Sequence, residues 1–322
     1  MLKINNGIDE NMLHVIFLLI ISSKIKRNIP TKKMKKFRLE KEYQRMKISQ
    51  YLREVQNYSG RSLRNVEVFL NGKKVRTTKK LPSNGILRVI EKEKGTDIKP
   101  IKLNLDIVFE DEDILIVNKE PFLLTHPTQK KADFTLANGI VYYFKEKYGK
   151  EMVPRFYNRL DMNTSGLIII TKNSFAQAFL QNFSIFEKKY MAIVEGIIDS
   201  DEEIVIEKPI YRDGDNLQRI IDERGQYAKT VIKPIKKFKD KNVTLAECEL
   251  FTGRTHQIRV HLKSIGHTII GDELYGKGID IEKGVKRQFL HAYRVKFTHP
   301  ATKKEMEIEI PLAEDMKEFL EK

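Results

Sequence analysis

Three short stretches carry the side chains that could do chemistry. In YNRLDMNTSGLIIITKN, residues 157–173, Arg159 and Asp161 stand just before Thr164-Ser165-Gly166 and a purely apolar run. Polar residues leading into such a run suit a functional loop at a sheet edge. They equally suit a turn in which Asp161 caps backbone N–H groups and Ser165-Gly166 supplies the bend. In EKKYMAIVEG, residues 187–196, Tyr190 follows Lys188 and Lys189 into a strand-like run. Its ring could stack on a base while its hydroxyl reaches a phosphate, sugar or proton, although a lone strand tyrosine is also ordinary core. In FTGRTHQIRVHLKSIGHTIIGDELYG, residues 251–276, Arg254, His256, Gln257, Arg259, His261 and His267 crowd a partly apolar context. The five-residue step from Arg254 to Arg259 does not give a shared helical face. One arginine is free to neutralise a buried carboxylate and the other to meet phosphate. The histidine spacings match no standard zinc pattern, so single structural hydrogen bonds are expected of them.

The elements that must position these groups can be read coarsely. Strand-like runs are DIVFE and ILIVNK across an acidic turn, then LIIIT, YMAIVEGII, AKTVIKPIKKF, NVTLAECEL, RVKFTHP and EMEIEIPL. Helical stretches are expected at 133–148, 174–182 and 254–265. Strands outnumber helices and most connections are short. The fold class is therefore α+β, with a mixed, mostly antiparallel sheet and flanking helices. Upstream, KISQYLREV has helical spacing and SGRSLRNVEVFL reads as a second helix. Asn71-Gly72 and Ser83-Asn84-Gly85 mark turns between the short strands KKVRTTKKL and ILRVIE. The expected organisation is an extension at 1–33, a small basic α/β domain at 34–95, a linker at 96–102 and a large domain at 103–322.

Composition bounds the partners. The 322 residues include 59 Lys+Arg against 44 Asp+Glu, a formal charge of +15, which favours a polyanion such as nucleic acid. Basic residues crowd the small domain, Arg61, Arg64, Lys73 and Lys74 among them, which reads as an RNA-backbone binder, with a merely solvated surface as the alternative. The one cysteine, Cys248, lies in a strand-like run and excludes an internal disulfide framework, as expected of a protein in a reducing cytoplasm. No phosphate-binding loop, HExxH or GxSxG stands in the chain, and the EDED turn at 110–113 lacks calcium-loop spacing. Leu13–Ile21 is apolar but too short to span a bilayer; the extension reads as non-conforming, with a membrane-binding helix as the alternative.

Taken in order, these stretches resemble the RluA-type pseudouridine synthases. Arg159-Leu160-Asp161 with Thr164-Ser165-Gly166, Lys188 with Tyr190 in KKYMAIVEG, GRTHQIRVHL and IIGDELYG all match that pattern, over about 101–322. Residues 34–95 resemble the small RNA-binding domain of ribosomal protein S-four. The resemblance implies isomerisation of uridine to pseudouridine in RNA without cofactor or metal, most commonly in large-subunit rRNA and in some members tRNA. It implies Asp161 as the catalytic residue, Tyr190 as the residue that stacks on the base and handles a proton, and Arg259 as the aspartate's partner. Arg159, Arg254 and Lys188 are expected to contact RNA, and no obligate oligomer is implied. Asn158 stands where histidine is usual, which bears on local hydrogen bonding or an RNA contact. Whether Asp161 attacks the sugar or deprotonates it stays open.

Overall fold

A computed structural model describes residues 34–58, 60–64, 66–91, 95–127, 134–184 and 186–322. The extension at 1–33, with its apolar run, lies outside them. The described residues fall into two compact units, one of residues before 92 apart from 57 and 58, the other of residues 57, 58 and 95–322.

The first unit is a four-stranded antiparallel sheet in the order β1-β4-β2-β3, formed by β1 (Met34–Leu39), β2 (Val66–Leu70), β3 (Lys73–Val75) and β4 (Gly85–Glu91). Helices α1 (Ile48–Glu54) and α2 (Gly60–Leu63) complete it. In α1 the i, i+4 pair Ile48 and Leu52 is fully buried, as its spacing requires. At the β2–β3 hairpin, Asn71 and Gly72 both take positive φ, 48° and 84°, which a two-residue turn of this hand demands. One expectation fails here. SGRSLRNVEVFL is helical only over Gly60–Leu63, and Val66–Leu70 is a strand. Val-Glu-Val-Phe-Leu alternates, buries Val68 and Leu70, and gains ladder bonds from β4, which outweighs its helical spacing.

The second unit carries β5 (Asp106–Glu110), β6 (Ile114–Lys119), β7 (Arg155–Phe156), β8 (Ser165–Thr171), β9 (Phe186–Glu195) and β10 (Ile204–Glu207). It continues with β11 (Ile210–Tyr211), β12 (Ile220–Ile221), β13 (Lys229–Phe238), β14 (Val243–Leu250), β15 (Leu290–Thr298) and β16 (Glu305–Glu309). Its main sheet runs β10-β13-β14-β9-β15-β8-β6-β5, with β16 beside β15 and β7 beside β8. All main-sheet pairings are antiparallel except β15 with β8. Its helices are α3 (Leu136–Tyr148), α4 (Ser174–Phe183), α5 (Gln257–Lys263) and α6 (Glu314–Glu321). The architecture is therefore the mixed α+β, mostly antiparallel one that the patterning implies.

The apolar runs of β6 and β8 are buried on both faces, and alternation splits each run between two cores. Leu115, Val117, Ile168 and Ile170 face α3 and α5 through Ile140, Phe144, Ile258 and Leu262. Ile114, Ile116, Leu167 and Ile169 face Phe179 and Leu180 of α4. The start of α3 is set by a capping box between Thr135 and Asn138, and its end by Gly149 at φ 68°. Helix α5 begins at Gln257 rather than 254, because the Gln257 side chain accepts the Arg254 N–H and His256 is left-handed at φ 59°. At β8, Gly166 has φ 115°, and a Cβ there would sit 2.3 Å from the Ala292 carbonyl oxygen. The parallel β8–β15 contact thus admits only glycine at that position.

Candidate active site

Residues 158–164 form the loop that enters β8, and almost every turn of it is pinned by a side chain from elsewhere. The Asn158 amide donates to the Leu167 carbonyl at 3.0 Å and accepts the Ile169 N–H at 2.8 Å, extending the ladder of β8 by one side-chain rung. Thr125 donates to the Leu160 carbonyl at 3.1 Å, and Arg287 to that of Asn163 at 3.2 Å. Lys119, fully buried, donates to the carbonyls of Met162, Leu123 and Glu120 at 3.0, 2.9 and 2.8 Å. Burial, and next the Arg287 charge, pull its ammonium down to about 7. Its three carbonyl acceptors match the three donors of the charged form, which Asp161 also favours. Below the loop the Ser165 hydroxyl meets His291 Nδ1 at 2.8 Å, and His291 Nε2 meets the Pro311 carbonyl at 3.0 Å. Such bracing fixes a reactive side chain before anything binds.

The side chain so held is Asp161. It is about one-third exposed and opens on a cavity of about 810 Å³ that Arg159, Lys188, Tyr190, Arg254, His256 and Arg259 also line. Asp161 Oδ2 is 3.3 Å from Nη1 of the buried Arg259 and 3.8 Å from Nε2 of His256. Arg259 does not belong to Asp161 alone. Its Nε and Nη2 form a two-pronged pair with the fully buried Asp272 at 2.7 and 2.6 Å, and Asp272 also accepts the N–H groups of Leu274 and Tyr275. The guanidinium is thereby fixed in plane, with one nitrogen left to face Asp161. Its face lies 4.9 Å from the Tyr275 ring centroid.

Strand alternation supplies the opposite wall. Phe186, Lys188 and Tyr190 of β9 point into the cavity, while Lys189 on the other face pairs with Glu247 at 2.8 Å. Burial, and secondarily the Asp161 charge, push the Tyr190 phenol well up, so it is neutral at neutral pH. Burial lowers the Lys188 ammonium. Gln257 accepts from the Thr252 hydroxyl and donates to the Lys229 carbonyl and Thr230, fixing the loop of Arg254. Arg254 donates through Nε to the Tyr227 carbonyl at 3.0 Å. Arg159 is exposed at the cavity wall.

The structure thus brings Asp161, Tyr190, Arg259, Arg159, Arg254 and Lys188 together around one cavity. Arg64, Lys73 and Lys74 are exposed in the first unit, where Lys74 pairs with Glu67 at 2.7 Å; the Arg61 side chain lies outside the described residues. Asn158 is buried, and its amide bonds to β8. His261, expected to make one hydrogen bond, makes two, to Thr230 and the Lys208 carbonyl; His267 meets the Glu195 carbonyl. Cys248 is buried, and burial pushes its thiol up. Sequence reasoning missed Asp272, Tyr275 and the closeness of His256 to Asp161. The first two stand in IIGDELYG, a segment recognised as a pattern but not assigned a task. Among the described residues no group of His, Cys, Asp and Glu is arranged to hold a metal ion.

Comparison with known proteins gives the same direction. A family model described as RNA pseudouridylate synthase matches residues 113–264. Over 264 residues the chain is 37% identical to a Bacillus subtilis (strain 168) protein described as the uncharacterized RNA pseudouridine synthase YlyB, covering 79% of this chain and 85% of that one. It is 36% identical over 234 residues to the ribosomal large subunit pseudouridine synthase D of Zymomonas mobilis, covering 68% and 72%. Among solved structures, human RNA pseudouridylate synthase domain containing 1 superposes with a TM-score of 0.52 at 25% identity, covering 68% of this chain and 86% of that one.

Proposed function

The chain belongs to the RluA-type family of RNA pseudouridine synthases, isomerases of uridine in RNA, and from that premise we propose that Asp161 carries the reaction and that large-subunit rRNA is the substrate. Pseudouridine formation breaks the N1–C1′ bond, turns the uracil, joins C5 to C1′, releases the C5 proton and leaves N1 protonated by one taken up in its place. The base must leave its stack to be turned, and the cavity beside Asp161 is the place for it.

The single observation that carries the assignment is the setting of Asp161, a carboxylate on a braced loop, opening on the cavity beside a guanidinium that Asp272 keeps from moving. Oxygen Oδ2 is oriented by Arg259, which leaves carboxylate lone pairs for the ribose. Both routes, attack on C1′ and removal of a sugar proton, begin from that carboxylate. Tyr190, neutral and on the facing wall, offers a ring to the uracil and a hydroxyl proton to transfer. Arg159, Arg254 and Lys188 supply positive charge at the walls for flanking phosphates. Residues 34–95 add a second basic unit suited to RNA backbone. Support for the rRNA substrate comes from the Zymomonas mobilis relative, whose name specifies the large ribosomal subunit.

The test is to separate turnover from binding in one variant. Asp161→Asn is expected to abolish release of tritium from RNA labelled at uridine C5 while binding that RNA within about threefold of the parent. Turnover at the parental rate contradicts the assignment.

A further inference from the structure

Three groups outside the proposed reaction form a chain that ends on Asp161. The backbone N–H of Arg219 donates to the Tyr275 hydroxyl oxygen at 2.6 Å, and that oxygen lies 2.9 Å from His256 Nδ1. On the far side of the ring, His256 Nε2 lies 3.8 Å from Asp161 Oδ2. A backbone amide can only donate, so one lone pair of the phenol oxygen is taken by Arg219. The phenol's remaining lone pair and its single proton both face Nδ1 of His256, and donation of the proton to Nδ1 is the arrangement that also gives the phenol hydrogen a partner. An imidazole that accepts at Nδ1 carries its proton on Nε2, the nitrogen that faces Asp161.

The surroundings disfavour the charged form of this imidazole. Burial lowers its pKa below the usual histidine range, the nearby Arg259 and Arg219 add to that, and Asp161 and Asp272 oppose it. Asp161 therefore faces one permanent cation, Arg259, and one imidazole nitrogen, Nε2 of His256. The backbone of His256 is left-handed, a conformation a non-glycine residue holds only where its surroundings enforce it. The ring stands edge-on to Tyr275, with centroids 5.7 Å apart and planes at 81°. The Tyr275 ring is in turn packed on Arg259. The Nε2–Asp161 separation is longer than a hydrogen bond, and catalytic contacts of this kind commonly tighten in the reacting complex.

We propose that His256 is a positioning residue for Asp161, that it acts as a neutral Nε2–H donor, and that the segment carrying Arg219 sets this tautomer through the Tyr275 hydroxyl. A consequence is that the β11–β12 connection, which also holds the Leu274 carbonyl through Gln218, reports to the catalytic loop. An RNA that shifts this connection alters the donor facing Asp161. The proposal rests on Asp161 being the catalytic carboxylate, and the experiment keeps the two claims apart.

Nitrogen-15 spectra of the full chain are expected to show His256 neutral with its proton on Nε2 at neutral pH, and Tyr275→Phe to shift it toward a mixture of tautomers. In turnover, His256→Asn tolerates the left-handed backbone and keeps a group near Tyr275 but loses the Nε2 position. His256→Gln places an amide N–H near that position. With total RNA from cells lacking the protein, tritiated at uridine C5, His256→Asn is expected to lower kcat by about tenfold or more with KM changed less than about twofold. His256→Gln is expected to restore much of the loss. A proton found on Nδ1 overturns the proposal. So does parental kcat in His256→Asn when Asp161→Asn is inactive. Activity in Asp161→Asn overturns the underlying reading instead.

Discussion

Arg259 gives two of its three nitrogens to Asp272 and one to Asp161, and this unequal sharing defines what each carboxylate does. Asp272 is fully buried and anchors; Asp161 is partly open and faces the cavity. Removing the anchor leaves a buried guanidinium with one weaker partner. Asp272→Asn is therefore expected to destabilise the protein by about 3 kcal/mol, measured by urea unfolding, and to lower turnover as Arg259 loses its plane. An unchanged unfolding midpoint contradicts this account of the pair. Asp161, Arg259 and Tyr190 were legible as candidates because their types stand in recognisable order beside strand-like runs. That Arg259 is shared was not legible, because Asp272 lies thirteen residues later, beyond the end of α5, and the local pattern does not set the path between them. His256 was expected to make one structural hydrogen bond, and it makes one, to Tyr275; its closeness to Asp161 was not legible for a similar reason. Its spacing excludes zinc but does not show its partner, Tyr275, which stands nineteen residues later and is brought beside it only by folding.

At the scale of elements, the double-sided burial of β6 and β8 could be read from ILIV and LIIIT, and the site loop could be placed at the head of β8. The β2 segment was misread because a five-residue run carries few turns of either period, and pairing with β4 decided it. Between elements, Glu110 at the end of β5 accepts from Tyr143 and Lys147 of α3, from Tyr148 and from the buried Lys172 after β8, at 2.5–2.6 Å. Burial alone would raise its carboxyl, but the bonds from Lys147, Lys172, Tyr143 and Tyr148 outweigh it and hold the group at about 2. A carboxyl depressed on folding stabilises the fold above its ordinary value of 4.5 and loses that contribution as pH falls towards 2. Glu110→Gln is thus expected to be less stable than the parent at pH 7, with the gap in denaturation midpoint closing between pH 4.5 and 2. A gap independent of pH would show that the carboxylate's charge is not what ties β5 to α3.

For the whole molecule, the charge of +15 pointed to a polyanion, and family membership identifies that polyanion as RNA. Among the described residues no helix is long and apolar enough to cross a membrane, and the apolar run at 13–21 lies outside them. If the cavity walls bind phosphate through Arg159 and Arg254, affinity for RNA falls by about 0.7 logarithmic units per tenfold rise in salt for each phosphate neutralised on single strands. Replacing either arginine with alanine is expected to weaken binding and flatten the salt dependence by about one such increment in filter-binding titrations. A parallel line would mean that the side chain meets no phosphate. The central claim is that this chain makes pseudouridine in large-subunit rRNA through Asp161. Site-resolved pseudouridine mapping of total RNA, from a deletion strain carrying the parent gene or Asp161→Asn, tests it most directly. The expected result is loss of a discrete large-subunit modification that only the parent gene restores; restoration by Asp161→Asn, or an unaltered large-subunit map on deletion, would contradict it.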